Sequence, residues 1–192
     1  MKEFTFLKII NFDHQLKIYE LMSTSIQKEI SDLESKNHLH KLTKDEARNL
    51  EFYTQSLDIL IKSTFLQIYA QLEESLYHEC EQQDLKKNAS IVRFETALSE
   101  QGFNIEGEYW RNLLEIAKIR NCLLHGNGRL DSDRYGEDTR ETINSLNSDA
   151  KTILIEIIDL KGHRKGSSKI KIKNEFLPYC INLIKNFINS QK

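Results

Sequence analysis

A shortage of helix-breaking residues is the feature that most constrains how this chain folds. Its 192 residues contain one proline, Pro178, and seven glycines. Proline removes a backbone donor, and glycine costs a helix interior roughly 1 kcal/mol relative to alanine, so long stretches without either residue favour helices over short strands and turns. The chain is therefore predicted to be all-α, and its length fits a single domain covering residues 1–192.

The composition is that of an ordinary globular protein, with 39% hydrophobic and 29% charged residues. A net charge of −2 gives no general attraction to nucleic acid, so any RNA contact must come from a local patch. The cysteines Cys80, Cys122 and Cys180 are odd in number and widely spaced, which favours a reducing compartment over disulfides. The first residues lack a signal-peptide pattern, and charges interrupt every apolar run, so we expect a cytoplasmic protein with no membrane association.

Apolar residues recurring at steps of three and four predict the helices. Thr43 and Glu46 match a capping box, which predicts that a helix begins there and continues for about forty residues, as one helix or two nearly collinear ones. Glycines permit the left-handed dihedrals that end helices at Gly102 and at Gly126–Gly128. The predicted helices cover Leu16–Glu34, the long segment after Thr43, Ser90–Glu100, Glu108–His125 and Asn174–Asn189.

Two segments depart from this helical pattern. Asp131–Ala150 is polar and acidic, and it is predicted to be a loop or a weak short helix. Thr152–Ile158 and Lys169–Lys173 are rich in β-branched residues and flank the glycine-containing link Gly162–Ser168, which predicts a β-hairpin before the terminal helix. The second strand alternates lysine with isoleucine, as a solvated edge strand does.

The residues that suggest chemistry lie at the end of the fourth predicted helix, where Arg120, Asn121 and His125 occur within six positions. Asn121 and His125 are four residues apart and project from one helical face. Arginine can bind two phosphate oxygens and stabilise the charge that develops during phosphodiester cleavage. Histidine can give or take a proton near neutral pH, and asparagine can orient an imidazole. Each of these side chains therefore has a use in cleaving a phosphodiester, although the residues alone also fit a polar helix end in which His125 caps carbonyls and Arg120 pairs with an acid.

The same motif predicts a homodimer. Attack by a ribose 2′-hydroxyl requires a base and departure of the 5′-oxygen requires an acid, so a single histidine is insufficient. A two-fold axis beside the fourth helix would bring two copies of His125 and two of Arg120 into one cleft.

These residues resemble the motif of the HEPN superfamily, whose ribonucleases carry Arg-polar-x-x-x-His near the end of a helix in a four- or five-helix bundle. The matching residues are Arg120, Asn121 and His125, with a helix break directly after them. The resemblance implies RNA cleavage without a metal or other cofactor, leaving a 2′,3′-cyclic phosphate at a site shared by two protomers. It also implies a role in toxin–antitoxin or antiviral defence, with an antitoxin or defence protein as partner. The subgroup paired with a nucleotidyltransferase antitoxin usually has Tyr where this chain has Asn127, and the hairpin is an addition to the minimal bundle.

Basic residues near the motif are candidate RNA ligands. Lys118 and Arg129 flank it, and Lys169 and Lys171 belong to the stretch 161–173, which holds six Lys or Arg residues and no acid. This stretch could attract phosphates non-specifically. Its lysines could equally protect an edge strand from aggregation, and both interpretations stay open.

Other candidate residues have structural alternatives. Glu73 on the long helix could hold Arg120, although a solvated helix face is favoured for it. Tyr109 and Trp110 could stack on bases, although packing is favoured. The remaining candidates for a metal site lack a coherent ligand spacing, so none is predicted; they are His38, His40, His78 and Cys80.

The function itself has two alternatives. One is a non-catalytic HEPN module that dimerises and binds RNA or a nucleotide. The other is a helical scaffold in which Arg120, Asn121 and His125 form only a polar helix end.

Overall fold

A computed structural model describes residues 2–38, 41–80, 90–131, 136–160 and 167–190, with side chains from residue 11 onward. The described part is an all-α fold with a small antiparallel hairpin before the last helix, as the sequence predicted. Its elements are α1 (Lys2–His38), α2 (Lys44–Glu79), a 3-10 helix (Ile91–Phe94) leading into α3 (Glu95–Glu100), α4 (Glu108–Gly126), α5 (Gly136–Ala150), β1 (Ile155–Asp159), β2 (Ser168–Ile172) and α6 (Phe176–Asn189).

The first helix is longer than predicted. It begins at Lys2 rather than Leu16 and extends over 37 residues, so the described part of the chain has two long helices instead of one. Phe12 lies before the predicted start and is fully buried, and α1 packs along α2 as its principal contact. The prediction was wrong because polar residues around Phe12 obscure its place in the apolar repeat.

The second long helix begins where the capping box predicted. The backbone N–H of Glu46 donates to Thr43 Oγ1 at 3.2 Å, and the N–H of Thr43 donates to Glu46 Oε2 at 3.0 Å. Lys36 of α1 donates to Glu46 Oε1 at 2.6 Å and joins the two helices. From this start α2 runs as one helix of 36 residues.

A full helix, α5, lies where the sequence predicted a loop or a weak short helix. Its Asn, Asp, Ser and Thr residues have poor helix propensity. However, Thr139, Thr142, Ile143 and Leu146 recur at helical spacing and are buried, and α5 packs mainly against α4. The prediction was wrong because tertiary packing overrides the local propensity.

The hairpin pairs Ile155 opposite Ile172 and Asp159 opposite Ser168. Its strands begin and end within three residues of the predicted bounds, and α6 begins at Phe176 rather than Asn174. Ile170 and Ile172 are buried whereas Lys171 is exposed, so the predicted alternation is confirmed. Residues 162–166 of the predicted link lie outside the described residues.

Apart from Leu33, the buried hydrophobic residues of the described ranges form one contiguous cluster. Trp110 is fully buried in it, lies 5.3 Å from Phe187 between ring centroids, and donates from Nε1 to Glu95 Oε1 at 3.0 Å, which confirms packing for Trp110. The three cysteines are buried and unbridged. Within the described ranges, no helix offers an apolar stretch of the length that crossing a membrane requires.

Candidate functional site

The end of α4 is fixed by its cap and by β2. Asn127 has left-handed dihedrals with φ 49°, and Gly128 follows with φ 78°, whereas Gly126 remains helical. The N–H of Ile170 donates to the carbonyl oxygen of Gly128 at 2.8 Å, and the N–H of Leu130 donates to that of Ser168 at 3.0 Å. The hairpin therefore holds the helix end that carries the motif.

Arg120 is half-buried between α4 and α2. Its Nη2 lies 3.3 Å from Glu73 Oε2, and its Nη1 donates to Asn121 Oδ1 at 3.0 Å. The guanidinium carbon lies 5.5 Å from the centroid of the Tyr69 ring, within the range of a cation–π contact. Glu73 is only 17% exposed and pairs with Arg120. The prediction that Glu73 belongs to a solvated helix face was therefore wrong.

The buried ring of Tyr69 packs beside Arg120. It is 1% exposed, and its hydroxyl lies 3.1 Å from Ser90 Oγ. Burial raises the pKa of Tyr69 to about 12, so the ring stays neutral under physiological conditions. A buried neutral ring and a carboxylate together restrict the positions that the guanidinium can adopt.

His125 lies one helical turn after Asn121 and is exposed, as is the neighbouring Leu124. In the described structure Asn121 makes no hydrogen bond to the imidazole of His125. Its side-chain oxygen accepts a hydrogen bond from Arg120 instead. The five-residue step from Arg120 to His125 is one full helical turn plus about 140°, so these two side chains leave α4 in different directions. The imidazole is open to a substrate or to a second chain.

The four predicted RNA ligands fall into two groups. Lys118 is paired with Asp138 of α5 at 2.7 Å, and Arg129 with Asp131 at 2.9 Å. Each of these cations is therefore balanced by a neighbour. Lys169 and Lys171 instead line a groove with a volume of about 790 Å³ between α2 and the hairpin. Three other basic residues of the predicted patch lie outside the described residues: Lys161, Arg164 and Lys165.

The groove includes Lys62, which sequence reasoning missed. Lys62 lies on α2, and its Nζ is 2.5 Å from Asp58 Oδ2. In the sequence these residues form an ordinary Asp-Lys pair four apart, as found on solvated helix faces. Only the return of the hairpin against α2 encloses them. The groove also includes Asn127, two residues beyond His125, so it adjoins the end of the motif.

The described ranges contain no group of three or more His, Cys, Asp or Glu residues arranged to hold a metal ion. His40, one of the residues considered for such a site, lies outside them.

No family model, curated protein or solved structure matches the chain. The HEPN resemblance therefore depends on the motif and on the residues around it.

Proposed function

We propose that this protein is a metal-independent endoribonuclease of the HEPN type that acts as a homodimer. The observation that supports the proposal most directly is the end of α4, where an exposed His125 follows Arg120 and Asn121, and Arg120 is anchored by Glu73 at 3.3 Å. Cleavage by transesterification requires an anchored cation and an accessible proton carrier, and this helix end supplies one of each.

In this proposal Arg120 binds the scissile phosphate. A guanidinium has five N–H donors, and the contacts to Glu73 and Asn121 involve only two of them. The remaining donors can bind phosphate oxygens as negative charge accumulates. Asn121 acts as an orienting group for Arg120, in place of the role toward His125 that the sequence suggested.

His125 transfers protons. In one protomer it accepts the proton of the ribose 2′-hydroxyl, and in the other it donates a proton to the leaving 5′-oxygen. The products are a 2′,3′-cyclic phosphate and a 5′-hydroxyl. Because Arg120 and His125 diverge from one helix, a two-fold arrangement that sets α4 against its copy supplies both groups to one phosphate. Leu124 is 47% exposed and gives this surface an apolar side chain that a second copy can contact.

By the same resemblance we place the activity in toxin–antitoxin or antiviral defence in the cytoplasm. An antitoxin or another defence protein would then be the partner.

The test is cleavage of single-stranded RNA by the purified protein in excess EDTA. We expect cyclic-phosphate ends from the wild type and a loss of at least about a hundredfold in His125→Ala, because proton transfer contributes roughly 10² to 10⁴ to such rates. His78→Ala removes another partly exposed histidine, 42% exposed on α2, and is the matched control. Cleavage that persists in His125→Ala, or that EDTA abolishes, contradicts the proposal.

A non-catalytic RNA-binding module is the second candidate. It is favoured by one observation: Glu73 balances the charge of Arg120, which is only 26% exposed. Wild-type protein that binds many RNAs and cleaves none of them would support this alternative.

A further inference from the structure

The groove between α2 and the hairpin carries an excess of positive charge. Four lysines line it, namely Lys62, Lys169, Lys171 and Lys173, against the two acids Asp58 and Glu175. Lys173 is already paired with Glu156 at 2.7 Å, which lies outside the lining. We call this surface the lysine groove.

Two of its lysines lie near one carboxylate, and only one of them is paired with it. Lys62 is 11% exposed and pairs with Asp58. Lys169 reaches across from β2 to the same place, where burial, followed by the nearby Lys62 ammonium, lowers the pKa of Lys169. Two ammonium groups in a partly desolvated position repel each other, and one carboxylate cannot neutralise both. An anion with two free oxygens would accept from both groups and remove this repulsion.

The lysine groove is aligned with the motif. Lys62 and Glu73, the partner of Arg120, are eleven residues apart on α2, which is about 16 Å along the axis and only about 20° around it. Asn127, the C-cap of α4, lies two residues after His125 and also lines the groove. Ile59 and Ile158 at the rim are 63% and 41% exposed and offer apolar surface against which bases can pack.

We propose that the lysine groove binds the phosphodiester backbone of single-stranded RNA next to the scissile position, with Lys62 and Lys169 bridging one phosphate. This inference rests on the proposed ribonuclease function and adds the path of its substrate. Asp58 pairs with Lys62 in the free protein, so RNA and Asp58 compete for this lysine.

The test measures binding of a fluorescent single-stranded RNA over a range of salt concentrations, in a His125→Ala background so that the RNA stays intact. Lys62→Gln and Lys169→Gln should each weaken binding about threefold to tenfold. The two changes together should reduce the salt slope by about 0.7, the value for one phosphate contact on a single strand. Asp58→Asn should do the opposite and tighten binding, because it frees the Lys62 ammonium from its pair and removes a negative charge near Lys169.

The matched control is Lys185→Gln. Lys185 forms a similar pair with Asp13 at 2.5 Å, but it does not line the groove. This change should leave RNA binding within about twofold of the parent. Urea unfolding of each variant separates a loss of binding from a loss of folding. Lys171→Gln is a further groove variant, and because Lys171 is exposed this change leaves the packing intact.

Unchanged binding in the folded groove variants, an equal loss in Lys185→Gln, or weaker binding in Asp58→Asn overturns the inference. So does Lys62-dependent binding of poly-glutamate in preference to RNA, which would assign the groove to an acidic protein segment. If the groove variants lose RNA binding while the protein without the His125 change cleaves no RNA, the groove stands and the ribonuclease proposal fails. If that protein cleaves RNA but the groove variants bind normally, only the groove inference fails.

Discussion

Arg120 is the residue whose role depends most on a neighbour that the motif does not contain. A long side chain at a helix end can adopt many rotamers, and fixing it has an entropic cost. Glu73 and the ring of Tyr69 restrict it from α2. If Arg120 binds the scissile phosphate, Glu73 is a positioning residue.

Replacing Glu73 tests this role. We expect Glu73→Gln to reduce kcat for RNA cleavage about tenfold to a hundredfold with a smaller change in KM, since a displacement of about 1 Å in a catalytic group has effects of that size. Glu74→Gln is the control, because Glu74 is the adjacent acid, is 72% exposed and has its carboxylate 3.9 Å from the His78 ring rather than beside Arg120. An increase in kcat would mean that Glu73 suppresses Arg120 instead of positioning it.

Tyr69 should make stability dependent on alkaline pH. Its pKa is about 12 in the folded protein against an ordinary value of 10.0, so the folded state holds the phenolic proton more tightly than the unfolded chain does. The corresponding stability is fully present below pH 10 and is lost as the pH rises from 10 to 12. Two pKa units correspond to about 3 kcal/mol.

Urea unfolding at pH 9, 10 and 11 measures this loss, and Tyr69→Phe should show a shallower decline than the wild type. Tyr179, whose pKa burial also raises to about 12, keeps the decline from vanishing. Tyr77→Phe removes a tyrosine that is 55% exposed and should behave as the wild type does. Parallel curves for Tyr69→Phe and wild type would contradict the assignment.

The sequence could identify the motif residues but could not identify their partners. The spacing of Arg120, Asn121 and His125 is local, so periodicity alone put Asn121 and His125 on one face. Glu73 lies 47 residues before Arg120, and Lys62 lies 107 residues before Lys169. Such pairings depend on how helices and strands pack together, and no local pattern encodes them.

At the scale of elements, α5 connects the motif helix to the hairpin. Lys118 of α4 binds Asp138 of α5, and Arg140 of α5 donates to Ser168 of β2. Predictions from the sequence succeeded for α2 and the hairpin because the cap and the alternation are local signals. They failed for α5 because four buried side chains, and not propensity, keep this segment helical.

The start of α5 should be sensitive to a single methyl group. A Cβ at Gly136 would lie 2.1 Å from the carbonyl oxygen of Leu130, which backbone movement alone can relieve. Gly136→Ala should therefore lower the free energy of unfolding by about 1 to 3 kcal/mol. The control is Gly102→Ala, where nothing lies within 4 Å and only the φ of 82° is unfavourable, at about 1 kcal/mol. Urea midpoints compare the two, and a smaller loss in Gly136→Ala would contradict the packing argument.

At the scale of the whole molecule, the proposed chemistry needs more than one chain. A protomer provides one His125, and cleavage through the 2′-hydroxyl uses a base and an acid. The exposed end of α4 is the surface on which a copy would have to dock, because that is where His125 and Leu124 are accessible. A charged substitution such as Leu124→Glu should therefore weaken association and cleavage together.

Mixing chains distinguishes a composite site from two independent sites. A fixed amount of wild type is refolded with increasing amounts of His125→Ala, so that the subunits pair at random, and cleavage is measured per wild-type chain. If both imidazoles serve one phosphate, each mixed dimer is inactive, and activity should fall to about one half at equal amounts and about one tenth at a ninefold excess. If each protomer cleaves alone, activity stays constant at every ratio. With RNA in excess over all chains, folded His125→Ala added without subunit exchange should have no effect in either case, so a loss seen only after exchange does not come from sequestration of RNA. Constant activity after verified exchange would mean that the histidines act separately, and the two-fold site would have to be abandoned even if His125 proved essential.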